Sequence, residues 1–292
     1  MKTALVLSGG GSKGAYEIGV YQALLDMDVK VDMVVGTSIG AMNAYIIAQD
    51  KFDVAKKLWL TLTTPEVFEM PDAPAAKPTG DVSPRSEKLS ALAEKLPNRP
   101  SNASFSGIKK VLSENFSEEA VRASSVEFGL CTVQIPTSAD RGAISEAIKD
   151  PAIPLDFNDI KRLKPEVLKL WEEDIPEGKM LDYVLASCSI IPITVPYEID
   201  GKSYIDGGFA DQMPISMALE KNADRIIAVN LEAVGFTRYI DIAKAEMENK
   251  LIMITPSGPT GNLAEFIPEN SKRIMHMGYI DTLRAFKRKK LV

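Results

Sequence analysis

Several features that would point to particular classes of protein are scarce in this chain of 292 residues. Its only cysteines, Cys131 and Cys188, lie in apolar segments, where we expect them to pack as small hydrophobic side chains rather than form a disulfide. No stretch reaches the roughly 18 apolar residues of a membrane-spanning helix. The formal net charge of −6 leaves no dominant basic surface, which disfavours a dedicated nucleic-acid-binding protein.

The amino terminus also lacks the core of a signal peptide, because its apolar run ends early, at Ser8-Gly9-Gly10. The composition is that of an ordinary globular protein, with 45% hydrophobic and 25% charged residues. A chain of this length can bury a large hydrophobic core. We therefore expect a soluble, cytoplasmic protein.

Short apolar runs alternate with helical patterns along most of the chain. This alternation predicts an α/β fold with three layers, in which helices cover both faces of a mostly parallel central sheet. The predicted strands are 3–8, 31–35, 126–135 and 225–231, with a hairpin over 197–204. The predicted helices are 13–26, 39–49, 51–62, 107–114, 180–189 and 271–287.

Residues 65–106 differ from the rest, because six prolines between 71 and 100 interrupt any long element and only 87–96 has a helical pattern. We interpret this segment as an irregular insertion into a single domain of residues 1–292. The core of that domain is predicted over about 3–235, and a helical C-terminal segment over about 236–292. The insertion either covers an apolar groove or is a tolerated surface loop.

Ser38 lies in Gly36-Thr37-Ser38-Ile39-Gly40, between a predicted strand and a helix of small residues. A serine at such a sharp turn has strained backbone angles, and Gly36 and Gly40 relieve the crowding so that its Oγ is accessible. The N–H groups at the start of the following helix favour a developing alkoxide at that oxygen. The pattern predicts a nucleophilic serine, although an ordinary strand-to-helix turn uses the same small residues.

A glycine-rich segment, Ser8-Gly9-Gly10-Gly11-Ser12-Lys13-Gly14, follows the first predicted strand. Consecutive glycines allow several N–H groups to converge on one anion. The glycine spacing also fits a dinucleotide-binding fingerprint, whereas a P-loop fits poorly because its four-residue gap is missing. We favour an oxyanion hole, because neighbouring parallel strands bring this turn and the Ser38 turn to the same edge of the sheet. Lys13 either adds positive charge there or is a solvated lysine.

A third cluster, Asp206-Gly207-Gly208, places a carboxylate before two glycines at a predicted strand end. Serine attacks an acyl carbon only if another group accepts its proton. That base is either Asp206 in a dyad or His276, the only histidine, in a triad of the α/β-hydrolase order. We favour the dyad, because His276 lies in a helical tail and because Ser38 follows the second strand, which is too early for an α/β-hydrolase.

These three clusters resemble, in order and in context, the signature blocks of patatin-like phospholipases. The flanking segments 185–192 and 211–215 also resemble that family, although Gln212 stands where the family often has Asn. The resemblance covers about residues 3–62 and 107–235, and it does not extend to the insertion or to the last 50 or so residues.

The resemblance implies a patatin-like α/β fold and a lipid acyl hydrolase, of the phospholipase A or lysophospholipase type, that uses no metal or other cofactor. Ser38 would be the nucleophile and Asp206 the general base, with an acyl-enzyme as the intermediate. The oxyanion loop would comprise Gly9, Gly10, Gly11, Lys13 and Gly14, with Lys13 where the family commonly has Arg or Lys. The supporting glycines are Gly36, Gly40, Gly207 and Gly208.

Three other functions stay open at this stage. An acyltransferase would pass the same acyl group to an alcohol other than water. A nucleotide-binding or regulatory protein would need an acidic residue at the end of the second strand, where the Ser38 turn lies instead. A non-enzymatic scaffold would be expected to lose Ser38 or Asp206.

The expected partner is a lipid or acyl-ester substrate, and no oligomeric state is indicated. The basic residues 284–292, which have apolar side chains among them, either contact a membrane surface peripherally or form a solvated terminus.

Overall fold

The computed structural model describes residues 1–68, 104–136, 165–191 and 193–290. In these ranges eight strands form one sheet. The strands are β1 (Thr3–Leu7), β2 (Met33–Thr37), β3 (Glu127–Ile135), β4 (Glu166–Trp171), β5 (Tyr197–Ile199), β6 (Lys202–Asp206), β7 (Arg225–Val229) and β8 (Leu251–Ile254). The helices are α1 (Ala15–Asp26), α2 (Ile39–Ile47), α3 (Phe52–Thr61), α4 (Thr64–Val67), α5 (Ser106–Asn115), α6 (Glu118–Arg122), α7 (Met180–Ser187), α8 (Ile215–Glu220), α9 (Tyr239–Met247) and α10 (Pro268–Arg288).

The strand order in the sheet is β5-β6-β3-β2-β1-β7-β8, and β4 pairs with β3 outside this path. The central pairs, from β3 through β2, β1 and β7 to β8, are parallel. The pairs that involve β4, β5 and β6 are antiparallel. The predicted α/β fold with a mostly parallel sheet is therefore confirmed, and Ser38 directly follows the second strand.

Strands β1 and β2 are buried on both faces, which explains why their sequences are continuous apolar runs. Leu5 and Leu7 join one core cluster, in which side chains of α1, α2, α3, α7 and α10 pack. Ala4 and Val6 join a second cluster with α8 and α9, because successive side chains of a strand point to opposite faces. Two layers of helices therefore enclose the sheet and fix the turns that follow its strands.

The strands and helices predicted in the described ranges are all present, with their ends shifted by a few residues. The first predicted helix begins as a 3₁₀ turn, Gly11–Gly14, before α1. The predictions missed β4, β8, α4, α6, α8 and α9, which are short elements. The helix predicted over 87–96 lies outside the described residues.

Both described ends of the predicted insertion 65–106 belong to the packed structure. Helix α4 leads into it and α5 follows it. Val67, Phe68 and Phe105 are buried in the larger core cluster. The described residues at the two ends of the insertion are therefore part of the core and do not form a surface loop.

The C-terminal segment 236–292 contains strand β8 in addition to the predicted helical structure. Helix α10 lies against α1 with main chain close to main chain. A Cβ added at Gly19 would lie 1.8 Å from the carbonyl oxygen of Met275, and one at Gly278 would lie 2.2 Å from that of Tyr16. The two glycines therefore permit this helix pair to approach closely.

The basic C-terminal residues are partly built into this helix. Phe286 is buried, with 1% of its surface exposed, and Arg284 contacts Asp281 at 3.2 Å. Phe286 is therefore a core residue and is not available to a membrane surface. In the described ranges, no helix combines the length and the apolar content needed to cross a bilayer.

Replacing Gly19 with alanine should destabilise the fold, because the added methyl group would force α1 and α10 apart. We expect the free energy of unfolding, measured by urea denaturation, to fall by about 1–3 kcal/mol. Gly258→Ala is the control, since its added Cβ would meet nothing closer than Met277 Cε at 3.5 Å. Equal stability of the two variants would contradict the proposed close contact.

Candidate active site

Ser38 lies between the end of β2 and the start of α2, with backbone angles φ 57° and ψ −128°. A positive φ at a residue with a Cβ costs on the order of 1–3 kcal/mol, so the surrounding structure must hold it. A Cβ at Gly36 would lie 2.2 Å from the carbonyl group of Gly40, and one at Gly40 would lie 2.5 Å from the carbonyl oxygen of Leu7. The close approach of the main chain around Ser38 therefore requires both glycines.

The glycine loop, residues 8–14, passes directly beside this turn. A Cβ at Gly9 would lie 3.0 Å from the Cβ of Ser38, and one at Gly14 would lie 2.6 Å from Cγ1 of Ile39. The parallel pairing of β1 with β2 brings the two turns to one edge of the sheet. The loop and the serine are thus neighbours, as oxyanion stabilisation requires.

Two N–H groups of the loop have no acceptor among the described residues. Within the described ranges, the N–H groups of Gly10 and Gly11 donate no hydrogen bond, whereas that of Gly9 donates to the carbonyl oxygen of Gln212 (3.1 Å). Gly10 is buried and Gly11 partly buried; a buried N–H group without a partner is costly, so such groups commonly serve a ligand or a reaction. Gly11 and Ser38 line the same cavity. Gly10 and Gly11 therefore carry the loop N–H groups without a described acceptor, and Gly11 borders the cavity beside Ser38.

Distant parts of the chain hold the loop in shape. The Gln212 side-chain amide donates to the carbonyl oxygen of Gly9 (2.7 Å). The N–H of Ser12 donates to the carbonyl oxygen of Leu263 (2.7 Å), and its hydroxyl donates to that of Asn262 (2.6 Å). Sequence reasoning did not identify these partners, because nothing local marks a residue that contacts the loop from 200 or more positions away.

Lys13 extends from the loop towards the segment after β7. Its ammonium group donates a long hydrogen bond to the carbonyl oxygen of Leu231 (3.4 Å). Burial lowers the pKa of Lys13, and the nearby Glu232 carboxylate opposes this change. The described contacts of the ammonium group thus lie on the β7 side of the loop.

Asp206 ends strand β6, and its side chain is buried. Its Oδ1 accepts a hydrogen bond from the N–H of Gly208 (2.7 Å). Burial raises the pKa of Asp206 to about 7, although the Ser38 hydroxyl and the Gly208 N–H both stabilise the carboxylate. Oδ2 has no hydrogen-bond partner of normal geometry in the described part of the chain. Ser38 is thus near enough to Asp206 to stabilise its carboxylate.

Of the two glycines after Asp206, Gly207 is required by a close contact with main chain, whereas the nearest contact of Gly208 is with a side chain. A Cβ at Gly207 would lie 2.1 Å from the carbonyl oxygen of Cys131, and one at Gly208 would lie 2.4 Å from Oε1 of Gln212. The chain after Gly208 is fixed by Asp211, whose carboxylate pairs with Lys169 at 2.5 Å. The carbonyl oxygen of Asp211 accepts a hydrogen bond from the Thr37 hydroxyl (2.8 Å), which connects the segment after Asp206 to the serine turn.

His276 is not part of this arrangement. Its side chain is exposed on helix α10, and no hydrogen bond or ion pair joins it to another described residue. The triad alternative is therefore not assembled in this structure. Across the described ranges, no group of three or more His, Cys, Asp and Glu side chains is placed to hold a metal ion.

An apolar cavity lies beside Ser38. Its walls include Met42 from α2, Leu185 from α7, and Leu263 and Phe266 from the segment after β8. Apolar side chains dominate its lining, so it suits a hydrocarbon chain rather than a charged ligand. Sequence reasoning did not find the cavity, since its walls come from parts of the chain that meet only in the fold.

The ends of the insertion form another wall of this cavity. Phe68 and Phe105 line it, and their ring centroids are 6.0 Å apart. Phe68 also contacts Phe266, at 5.9 Å between ring centroids. Of the two roles considered for the insertion, the described ends fit a cover for an apolar groove.

Ser187, at the end of α7, contacts the serine turn directly. Its hydroxyl oxygen accepts a hydrogen bond from the N–H of Ser38 (2.8 Å) and donates one to the carbonyl oxygen of Cys131 (2.7 Å). Ser187 lies within a segment already noted for its family resemblance, but its spacing alone gave no signal of this contact.

A buried carboxyl group, Glu17, lies between the helices that follow the loop and the serine. The Asn43 side-chain amide donates to Glu17 Oε2 (2.8 Å) and to the carbonyl oxygen of Gly14 (3.0 Å). Asn43 Oδ1 in turn accepts from Nε1 of Trp59 (2.9 Å). Burial raises the pKa of Glu17 well above its usual range, against the hydrogen bonds from Asn43 and from the Ser8 main chain. This network fixes α1 relative to α2 beneath the candidate site.

Comparison with known proteins identifies relatives of this arrangement. The family model described as patatin-like phospholipase matches residues 5–219. Lysophospholipase NTE1 of Mycosarcoma maydis is 21% identical over 99% of this chain and 13% of its own length. Patatin-like phospholipase domain-containing protein 7 of Mus musculus is 44% identical over 48 residues, which are 16% of this chain and 4% of that protein. The chain thus matches only a small part of these curated relatives.

A solved structure supports the fold. VipD from Legionella pneumophila is similar with a TM-score of 0.54, over 98% of this chain and 67% of that chain. The sequence identity is 16%, so this similarity concerns the fold alone.

The raised pKa of Glu17 predicts a stability difference that depends on pH. Above the ordinary pKa of Glu, about 4.3, the unfolded state releases a proton that the folded state keeps, so the carboxyl group destabilises the fold increasingly as pH rises. Glu17→Gln cannot ionise. We therefore expect its melting temperature, relative to that of the unaltered chain, to increase from pH 4 to pH 7.

Glu118→Gln is a control for which the relative melting temperature should change with pH in the opposite direction. Although burial opposes the change, hydrogen bonds from Met180 N–H, Arg122 and Gly178 N–H lower the pKa of Glu118. Its carboxylate therefore adds stability above the unfolded pKa, and this stability is lost as pH falls. The relative melting temperature of Glu118→Gln should decrease from pH 4 to pH 7. A pH-independent difference for Glu17→Gln would contradict a buried, protonated Glu17.

Proposed function

Because the chain belongs to the patatin-like phospholipase family, we propose that it is a serine acyl hydrolase with Ser38 as nucleophile and Asp206 as general base. The observation that carries this proposal is the convergence of three groups at one edge of the sheet. These are the Ser38 hydroxyl, the buried carboxyl group of Asp206, and the N–H groups of Gly10 and Gly11, which have no acceptor in the described part of the chain.

The proposed reaction begins with proton transfer from Ser38 Oγ to Asp206 as Oγ attacks the acyl carbon of an ester. The carbonyl oxygen becomes negatively charged and accepts hydrogen bonds from the Gly10 and Gly11 N–H groups. Losing one preorganised donor of this kind costs about 100- to 1,000-fold in rate. When the tetrahedral intermediate collapses, the C–O bond to the alcohol breaks, and Asp206 returns the proton to the departing alcohol.

The second half of the reaction repeats these steps with water. Asp206 accepts a proton from a water molecule, whose oxygen attacks the acyl group on Ser38. Collapse of the new intermediate breaks the bond to Oγ, and the proton on Asp206 returns to Ser38. The products are a free carboxylic acid and the regenerated enzyme, which is an ordinary acyl-enzyme cycle without a histidine.

The environment of Asp206 suits a base that works near neutral pH. Its pKa of about 7 lies well above that of an exposed aspartate, because the side chain is buried. A base with a raised pKa holds a transferred proton more firmly, which favours proton abstraction from a weakly acidic hydroxyl.

The cavity beside Ser38 supports a substrate with a long acyl chain. Its apolar walls would bury methylene groups, at about 0.8 kcal/mol for each one removed from water. A fatty-acyl ester of a lipid combines such a chain with a reactive carbonyl group, and the names of the relatives point to the same class. We therefore propose a phospholipid, lysophospholipid or related lipid ester as substrate.

Substitution of the dyad tests the proposal. Ser38→Ala should abolish hydrolysis of a chromogenic fatty-acyl ester, and Asp206→Asn should lower kcat by about 100- to 10,000-fold because it removes the general base. Both variants should retain the circular dichroism spectrum of the fold. His276→Ala is the control and should retain full activity. Loss of activity in that variant, with the Asp206 variant active, would contradict the dyad.

For the unaltered chain, kcat/KM should rise with pH through a midpoint near 7, because only the ionised Asp206 accepts the proton. A profile without a titration in this range would contradict Asp206 as the base.

A bulky side chain in the cavity should change the preference for acyl-chain length. Ile108→Trp, on α5, would fill space next to the aromatic wall. We expect kcat/KM for a palmitoyl ester to fall by about tenfold or more, while that for an acetyl ester stays nearly unchanged. Ser113→Trp, at an exposed position of the same helix, is the control. An equal effect on both esters would show that the cavity does not bind the acyl chain.

A further inference from the structure

The turn Ser187–Ser189, at the end of α7, contacts both members of the proposed dyad. The Ser187 hydroxyl oxygen accepts the N–H of Ser38 at 2.8 Å. The main-chain carbonyl oxygen of Ser189 accepts the N–H of Asp206 at 2.8 Å. Three consecutive residues therefore hold the backbone of the nucleophile and that of the base.

The Ser187 hydroxyl lies where two strands of the sheet separate. The parallel pairing of β2 with β3 ends at Thr37 opposite Cys131. One residue later, the Ser187 hydroxyl bridges the two strands, since it accepts from Ser38 N–H and donates to the Cys131 carbonyl oxygen (2.7 Å). In effect, a side chain replaces the next main-chain hydrogen bond of the ladder.

This bridge also connects Ser38 to the strand that carries the base. Strand β3 pairs with β6, and Thr132, the residue after Cys131, lies opposite Asp206. A hydroxyl that fixes Ser38 to Cys131 therefore sets the position of the nucleophile relative to Asp206. Ser187 is completely buried, so no water competes for these hydrogen bonds.

We propose that Ser187 is a positioning residue that holds the backbone of Ser38 in the conformation needed for proton transfer to Asp206. This inference rests on the proposed function and concerns the same site. Ser187 touches neither substrate nor the transferred proton. It acts through the N–H of Ser38. The hydrogen bond between them fixes the direction of that N–H group and so constrains the left-handed φ of 57° at the nucleophile.

Such positioning is important because no hydrogen bond fixes one oxygen of the base. Asp206 Oδ2 accepts no hydrogen bond from the described residues, so the backbone of Ser38 must set the direction of Oγ. Without the bridge, the turn can relax from its strained conformation and move Oγ away from the carboxylate. A displacement of about 1 Å is enough to cost about 100-fold in rate.

Ser187→Ala tests this role, because it removes the bridging hydroxyl and leaves both main-chain partners in place. We expect kcat for a soluble fatty-acyl ester to fall by about 100-fold, with KM little changed, since the acyl cavity is intact. Exchange of the Ser38 amide hydrogen, followed by NMR, should become faster because its acceptor is lost. The unfolding midpoint is measured in parallel, so that kcat refers to folded protein.

Thr282→Val is the matched control. Thr282 is also completely buried, and its hydroxyl donates to a main-chain carbonyl group, that of Gly278 (2.7 Å), within helix α10. Loss of this hydroxyl should lower the unfolding midpoint without changing kcat or the exchange of the Ser38 amide hydrogen.

The outcomes separate this inference from the proposed function. If Ser187→Ala affects kcat no more than Thr282→Val does, or leaves Ser38 amide exchange unchanged, the positioning role is wrong. Equal ester hydrolysis by the unaltered chain and by Ser38→Ala would instead contradict the proposed function, and with it the positioning role of Ser187 in that reaction. Amide exchange would still decide whether the bridge exists in solution.

Discussion

The strained backbone of Ser38 is the constraint on which the rest of the site depends. A left-handed conformation at a residue with a side chain persists only where its surroundings leave no better alternative. Here Gly36 and Gly40 allow the main chain to close tightly around the turn, and Ser187 takes the N–H group of Ser38. The buried sheet holds β2 on both faces. Core packing thus presents one hydroxyl group at the edge of the sheet.

The electrostatic character of the site follows from burial. Asp206 is enclosed, so its pKa rises to about 7, whereas a solvated carboxyl group would be ionised far below neutral pH. The N–H groups of Gly10 and Gly11 have no acceptor among the described residues, and low polarity near Ser38 would strengthen their interaction with a negative oxygen. The proposed base and oxyanion site would therefore arise from main-chain geometry and one buried side chain, and the proposed chemistry needs no imidazole.

The features that sequence reasoning could predict are those that depend on local backbone requirements. Gly36 and Gly40 flank a crowded turn, and the glycine loop stands directly after a buried strand, so short patterns identified both. The cavity could not be predicted in this way, since Phe68, Leu263 and Phe266 come from segments that meet only after folding. The bridge formed by Ser187 depends on the position of one hydroxyl group between two strands. Strand β8 was missed because a four-residue strand has too little pattern of its own.

The central claim is that Ser38 is an activated nucleophile in an oxyanion-stabilising site. The most direct measurement is mass mapping of the adduct formed with a fluorophosphonate, a reagent that modifies activated serines and places a phosphoryl oxygen in the oxyanion position. The account predicts a single adduct on Ser38 that does not form when Asp206 is replaced by asparagine. Labelling of another serine, or no labelling of the folded protein, would contradict it.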